Sequence, residues 1–248
     1  MKRTKLESPL EFRLKKWHGE DWHTSKGRTI RDIVYAVDTG LITTIAFLAG
    51  VSVSLIVTRS ILMAGIAHVA SGTIAIFFGA YISTKAQRDF FENQIERERQ
   101  EIEEMPQKET EEIRDIFREF GFQEDDLEVA VKRITSNKNL WLKFMIQEEI
   151  GLVPGTMDNP TSIGLISAVS FLIGAIPVIA PFFFVYSVPK ALLIAAIVLI
   201  VLLFIMGVWK TRFTKVHWLR SGIETLIFGG LSCGIGFLLG RIIAALIH

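Results

Sequence analysis

Apolar residues along this chain fall in long blocks, and the block from Ile61 to Ser83 runs without a break into a block of charge. His68 is the only side chain there that ionises near neutral pH, whereas about every other residue from Lys85 to Glu104 is charged. No Pro interrupts before Pro106 and no Gly follows Gly79. Residues 61 to 105 therefore read as one helix of roughly 65 Å, about twice the ~30 Å hydrocarbon core of a bilayer. Half of it must stand in water. Four other blocks are long enough to span: Ile33 to Val57, Thr161 to Val185, Ala191 to Trp209 and Ile223 to Ile247. Each must be helical, because lipid offers backbone amides no partners.

The polar stretch after the second block reads as helices only. Pro106 is a natural first-turn residue for a helix that Gly121 closes. Further helices follow over Glu124 to Thr135 and Asn139 to Ile150, and Pro154-Gly155 and Asn159-Pro160 mark the return to the membrane. Thr58, Arg59 and Ser60 are all that separate the first two spans, which predicts a tight antiparallel hairpin. The predicted fold is an all-α membrane protein of five transmembrane helices, with a cytosolic helical insert extending from the second. Its parts are a basic segment (1–30), spans one and two (31–84), the acidic insert (85–158) and spans three to five (159–248). Leu10, Leu14 and Trp17 share a face among lysines, which fits a short helix on the bilayer surface and equally a flexible basic tail.

Half of the 248 residues are apolar and the mean hydropathy is +0.40, as expected of a polytopic membrane protein. The net charge of +1 hides two populations. Between Lys85 and Ile150, 18 acids face 11 Lys and Arg, while the first 31 residues and the turn holding Lys210, Arg212, Lys215 and Arg220 are basic. By the positive-inside rule the basic regions are cytosolic. Five spans then put the amino terminus and the acidic insert inside and the carboxyl terminus outside. The first apolar run begins too late and is too long for a cleavable signal. One Cys, Cys233, excludes a disulfide framework or a thiolate metal cluster. No nucleophile and base pair, phosphate loop or zinc motif points to an enzyme, no organic cofactor is implied, and an acidic domain makes a poor nucleic-acid partner.

The candidate chemistry lies in the insert. Glu98 and Glu101, then Glu109 and Glu112, form two pairs three residues apart, and such a pair points both carboxylates the same way. A turn at Pro106 lets the four face one another, and Met145 with Glu149, beside Glu148, can close the cluster from the last helix. Carboxylate oxygens suit divalent cations, and a thioether favours a transition metal such as iron. The same spacing also arises on any solvated Glu-rich helix. The sequence argues against a ferritin-like centre, which uses Glu-x-x-His motifs, since no His occurs between Lys85 and Asp158. Within the first span, Asp38 is a candidate for an ion or proton path, with Thr39, Thr43 and Thr44 as nearby oxygens. Alternatively, Asp38 lies near the interface, where Arg31 or water meets it. Glu224 reads as interfacial and His68 as a packed histidine. The glycines of the last span, including Gly230-x-x-x-Gly234 and Gly236-x-x-x-Gly240, suit close helix packing within a chain or between two.

In this order the pieces resemble the vacuolar iron transporter family, as a divergent member of prokaryotic type. The likeness runs through Gly40-Leu41, Ala49-Gly50-Val51, Gly79-Ala80-Tyr81-Ile82-Ser83, Gln87, Pro106, Glu149-Ile150-Gly151-Leu152, Asn159-Pro160, Ser170-Phe171, Arg220-Ser221-Gly222 and Glu224. The resemblance implies a five-span homodimer whose insert collects Fe²⁺, possible Mn²⁺ cargo, and proton antiport driving export from the cytosol. The host would be the cell membrane in a prokaryote or a vacuole-type membrane in a eukaryote. The family's insert ligands map onto Glu98, Glu101, Glu109, Glu112, Met145 and Glu149, with Ile146 where the family has a further Glu. The family's span-one Asp falls at Thr39, which puts Asp38 about 100° around the helix from that position. Ala80 and Ile76 stand where the family carries a span-two Glu and Met. These departures keep open a second reading, a membrane-anchored metal sensor or buffer without transport. A structural membrane protein whose insert recruits partners is a third.

Overall fold

The computed structural model describes residues 25–151 and 157–247; the reading of Leu10, Leu14 and Trp17 and the Pro154-Gly155 turn lie outside them. Every element among the described residues is helical. In chain order these are α1 (Ser25–Val51), α2 (Thr58–Glu104), α3 (Pro106–Glu119), α4 (Glu124–Thr135), α5 (Lys138–Glu148), α6 (Pro160–Ile179), α7 (Pro181–Phe184), α8 (Val188–Trp209), α9 (Thr211–Thr214) and α10 (Trp218–Ile247).

Four helical stretches are long and apolar enough to cross a membrane: Gly27–Val51, Thr58–Glu104, Pro160–Phe184 and Val188–Trp209. The helix expected as a fifth span is the 30-residue α10. Large apolar side chains such as Leu193, Ile197, Ile200 and Ile205 point away from the protein on α8, as expected where hydrocarbon is the surrounding medium. The long second helix is continuous over 47 residues, on the order of 70 Å. The first connection differs from expectation. α1 ends at Val51, so residues 52–57 join α1 to α2 rather than three residues alone. Ser52 and Ser54 begin that connection in turn geometry, the Ser52 hydroxyl donating to Ala49 O at 2.7 Å.

α1 is the hub of the apolar bundle, packing against α6, α10, α8 and α2. Ala36, Leu41, Ile45 and Leu48 of α1 meet Phe171, Ala175 and Val178 of α6 and Ala195, Leu199 and Leu203 of α8 in one buried core. Two glycines permit the α1–α6 crossing. A Cβ on Gly40 would lie 2.3 Å from Phe171 O, and one on Gly174 would lie 2.3 Å from Val37 O. Backbone opposes backbone at both points, so neither contact can be relieved by a side-chain rotation. Gly40→Val should therefore separate α1 from α6 at a cost of about 3 kcal/mol or more, read as loss of a cooperative thermal transition in detergent. The Gly230-x-x-x-Gly234 face of α10 is different, since among the described residues a Cβ on either glycine would meet no other atom within 4 Å.

A second core is built where α2 leaves the apolar bundle. Ile102 of α2, Ile113 of α3, Leu127 and Val131 of α4, and Trp141 and Met145 of α5 are buried together. The Phe117 and Phe144 rings stack 5.2 Å apart beside them. Asparagine caps start the last helix of this unit and the membrane helix that follows it. Asn137 accepts from the backbone N–H groups of Asn139 and Leu140 at the head of α5, and Asn159 does the same for Thr161 and Ser162 at the head of α6. Gly121 and Gly151, with φ of +90° and +69°, terminate α3 and α5 in a left-handed conformation that a side chain would strain.

Candidate metal centre

Met105 is the only residue between α2 and α3. Its N–H donates to Glu101 O at 2.8 Å and its carbonyl accepts from Glu109 N at 3.2 Å, so it ends one helix and starts the next. Such a one-residue joint fixes the rotational phase of α3 against α2. Glu98 and Glu109 thereby meet, and Glu149, just past α5, joins them. One carboxylate oxygen from each of the three lies within 4.8 Å of the others. Oxygens on opposite sides of a cation bound at ~2.0–2.6 Å are about 4–5 Å apart, so the three are placed to share one ion.

Burial makes this trio unusual. Glu98 is 3% exposed and Glu109 is 0% exposed, while Glu149 is open to solvent. Glu98 Oε1 and both oxygens of Glu109 are buried without a hydrogen-bond partner among the described residues. A buried carboxylate without a partner is costly. Each member lies one helical turn from the apolar core, Glu98 from Ile102, Glu109 from Ile113 and Glu149 from Met145. Glu98 is pushed up to about 8, first by burial and then by repulsion from Glu149 and Glu109. Glu109 is raised as well, again chiefly by burial, with Glu112 the next cause.

Stability of the metal-free insert should follow these shifts. The folded protein holds a proton on Glu98 that the unfolded chain releases near 4.5. The resulting stabilisation is complete below pH 4.5 and is lost as pH rises toward 8. Hydrogen exchange of α5 amides should thus quicken between pH 5 and 8 beyond the intrinsic chemical dependence, and a bound divalent cation should suppress that excess.

The other sequence candidates fall in different places. Glu101 Oε1 accepts from Arg97 Nε at 3.0 Å, and Glu112 Oε1 lies 2.9 Å from Lys108 Nζ, so each outer Glu is held by a neighbouring cation. Met145 is 0% exposed within the apolar core. Glu148 is exposed and outside the trio.

In α1, Asp38 Oδ1 is buried and accepts no hydrogen bond among the described residues. Arg31 bonds Asp32 instead, at 2.9 Å. The cation whose charge reaches Asp38 is Lys210, one of the basic residues between α8 and α10. Lys210 Nζ donates to Thr225 Oγ1 of α10 at 3.1 Å. Only the packing of α8 and α10 around α1 could reveal that proximity. Thr39 and Thr43 donate to the carbonyls of Tyr35 and Thr39 at 2.6 and 2.7 Å, which leaves hydroxyl lone pairs free to accept. Thr44 is fully buried, its hydroxyl unpartnered among the described residues. His68 stacks on Phe47 at 4.5 Å, and Glu224 is exposed.

Residues 30–241 match the sequence profile of the VIT family. The chain is 28% identical over 226 residues to Vacuolar iron transporter 1 of Arabidopsis thaliana, covering 91% of this chain and 90% of that protein. Over 222 residues it is 32% identical to Vacuolar iron transporter 2 of Oryza sativa subsp. japonica, covering 88% of this chain and 90% of the other. Similarity extends to Vacuolar iron transporter of Plasmodium falciparum, 30% identical over 235 residues, with 91% and 86% of the two chains covered.

Proposed function

Because the chain belongs to the VIT family, we propose that it is a membrane transporter moving Fe²⁺, and Mn²⁺ as a second cargo, out of the cytosol in exchange for protons. The observation that carries the metal reading is the meeting of three carboxylates whose oxygens lie within 4.8 Å of one another, two of them buried with oxygens lacking hydrogen-bond partners among the described residues. Buried polar groups left without hydrogen bonds call for an explanation, and a cation shared by the three carboxylates supplies one. Glu98, Glu109 and Glu149 capture the ion from the cytosol, and burial of the first two makes the captured ion exclude water on one side.

From there the cargo passes to the membrane path, where Asp38 supplies the charge and Thr39 and Thr43 supply neutral oxygens. Proton exchange has a chemical basis at the collecting site, because Glu98 gives up its proton at about 8 and a bound dication displaces that proton near neutrality. In this reading α10 is the fifth span and the helical insert and amino terminus are cytosolic. Two copies form the working unit.

Uptake of Fe²⁺ or Mn²⁺ into proteoliposomes tests the proposal. An acidic lumen, from which protons leave as metal enters, should accelerate metal entry at least several-fold, and dissipating the pH gradient should abolish the acceleration. Metal binding without any flux would replace the transporter with a membrane-anchored sensor or buffer.

A further inference from the structure

The outer carboxylates of the two Glu pairs carry built-in cations, and these cations sit where metal charge would sit. Lys108 Nζ lies 2.9 Å from Glu112 Oε1 and 3.6 Å from Glu109 Oε1, so one ammonium straddles the second pair. Arg97 bonds Glu101 at 3.0 Å, and its charge also reaches Glu149 and Glu98. Lys108 reaches Glu101 in the same way. Both cations are largely exposed, at 59% and 71%, so neither is locked in place by packing.

The helix dipole does not account for Lys108, whose place in the helix rests on its i,i+4 pairing with Glu112. It stands in the first turn of α3, two residues after Pro106, where the unpaired backbone N–H groups already carry partial positive charge. Acidic side chains are favoured there and a cation is disfavoured. Against that dipole, the lysine is held by two carboxylates of its own helix, Glu112 and Glu109. Glu109, fully buried and with neither oxygen hydrogen-bonded among the described residues, leaves the same cluster with unmet acceptors beside Lys108.

Resting on the metal-collecting reading above, we propose that Lys108 and Arg97 are internal competitors that hold Glu112 and Glu101 in reserve and release them only to a divalent ion. Loading then has two stages. The ion first enters between Glu98, Glu109 and Glu149. Its charge next repels Lys108 and Arg97, and Glu112 and Glu101 swing from their own helix neighbours to complete the coordination. A monovalent ion gains too little from the trio to displace either cation, so the arrangement selects for double charge. Return of the two cations favours release, which a collecting site needs if its cargo is to move on.

Mn²⁺ binding to the full chain in detergent tests this, with free Mn²⁺ read by its paramagnetic resonance signal. Lys108→Gln and Arg97→Gln should each tighten binding by about fivefold, the scale set by an exposed ion pair that no longer has to be broken. The double variant should tighten it by the product, about 25-fold, if the two act independently. Lys108→Arg, which keeps the charge, should bind like the parent. Unchanged or weaker binding in both Gln variants would overturn the proposal, as would equal tightening by Lys108→Arg. Glu109→Gln separates the two levels of inference. If it weakens binding while Lys108→Gln and Arg97→Gln do nothing, the collecting site stands and the competitor role falls. If it binds as well as the parent, the collecting site itself is wrong.

Discussion

Glu109→Gln should lower the affinity of the full chain for Fe²⁺ or Mn²⁺ on the order of 100-fold, since even residues that only orient metal ligands carry 10–100-fold. The substitution preserves shape and removes one negative charge from a fully buried position. Because neither Glu109 oxygen has a hydrogen-bond partner among the described residues, the amide breaks no existing hydrogen bond. The metal-free variant should accordingly be at least as stable as the parent at alkaline pH, since burial already disfavours the ionised form of Glu109 in the parent. That combination, lost binding with stability retained or raised, separates a ligand from a structural residue. Weakened thermal stability together with unchanged binding, measured by calorimetry on the same preparation, would assign Glu109 to the scaffold.

Asp38→Asn should reduce metal flux on the order of 100-fold while leaving binding at the insert unchanged. The size follows from the ~2.5–3.5 kcal/mol that a charged group costs within a span, a cost comparable to the stabilisation its charge gives a passing cation, at 1.36 kcal/mol per tenfold in rate. Asp38 Oδ1 has no hydrogen-bond partner among the described residues to compensate that cost, and the charge that reaches it comes from Lys210 on the neighbouring helix end. Stopped-flow uptake into proteoliposomes measures the rate, and Mn²⁺ titration of the same protein reports the insert. Parent-like uptake by Asp38→Asn would remove this carboxylate from the path and move attention to Thr39, one position on.

How far the Glu98, Glu109 and Glu149 cluster is legible in the sequence can be traced to particular residues. The Glu-x-x-Glu spacing and Pro106 marked the two helices and the turn between them, because i, i+3 geometry and the proline's missing N–H are local properties. Neither could say which Glu of each pair faces inward. Glu98 and Glu109 are buried and Glu101 and Glu112 are held by Arg97 and Lys108, a choice made by the phase that Met105 imposes between α2 and α3. Met145 shows the same limit. Its spacing from Glu149 put it on the right helix face, but whether that face offers sulfur to an ion or methyl groups to a core depended on Ile102, Ile113 and Trp141 arriving around it.

The amino-acid sequence by itself determined the helices, the long continuous α2 and the separation of apolar bundle from acidic unit, because helical periodicity, proline position and transfer of apolar blocks out of water act along the chain. Only the tertiary structure decided which carboxylates are buried together, that Arg31 turns to Asp32 while Lys210 addresses Asp38, and that Gly40 and Gly174 bring α1 onto α6. Those outcomes depend on groups far apart in the chain, at distances of a few ångströms that no local pattern encodes. Electrostatic and packing energies of this kind exist only once the helices have met.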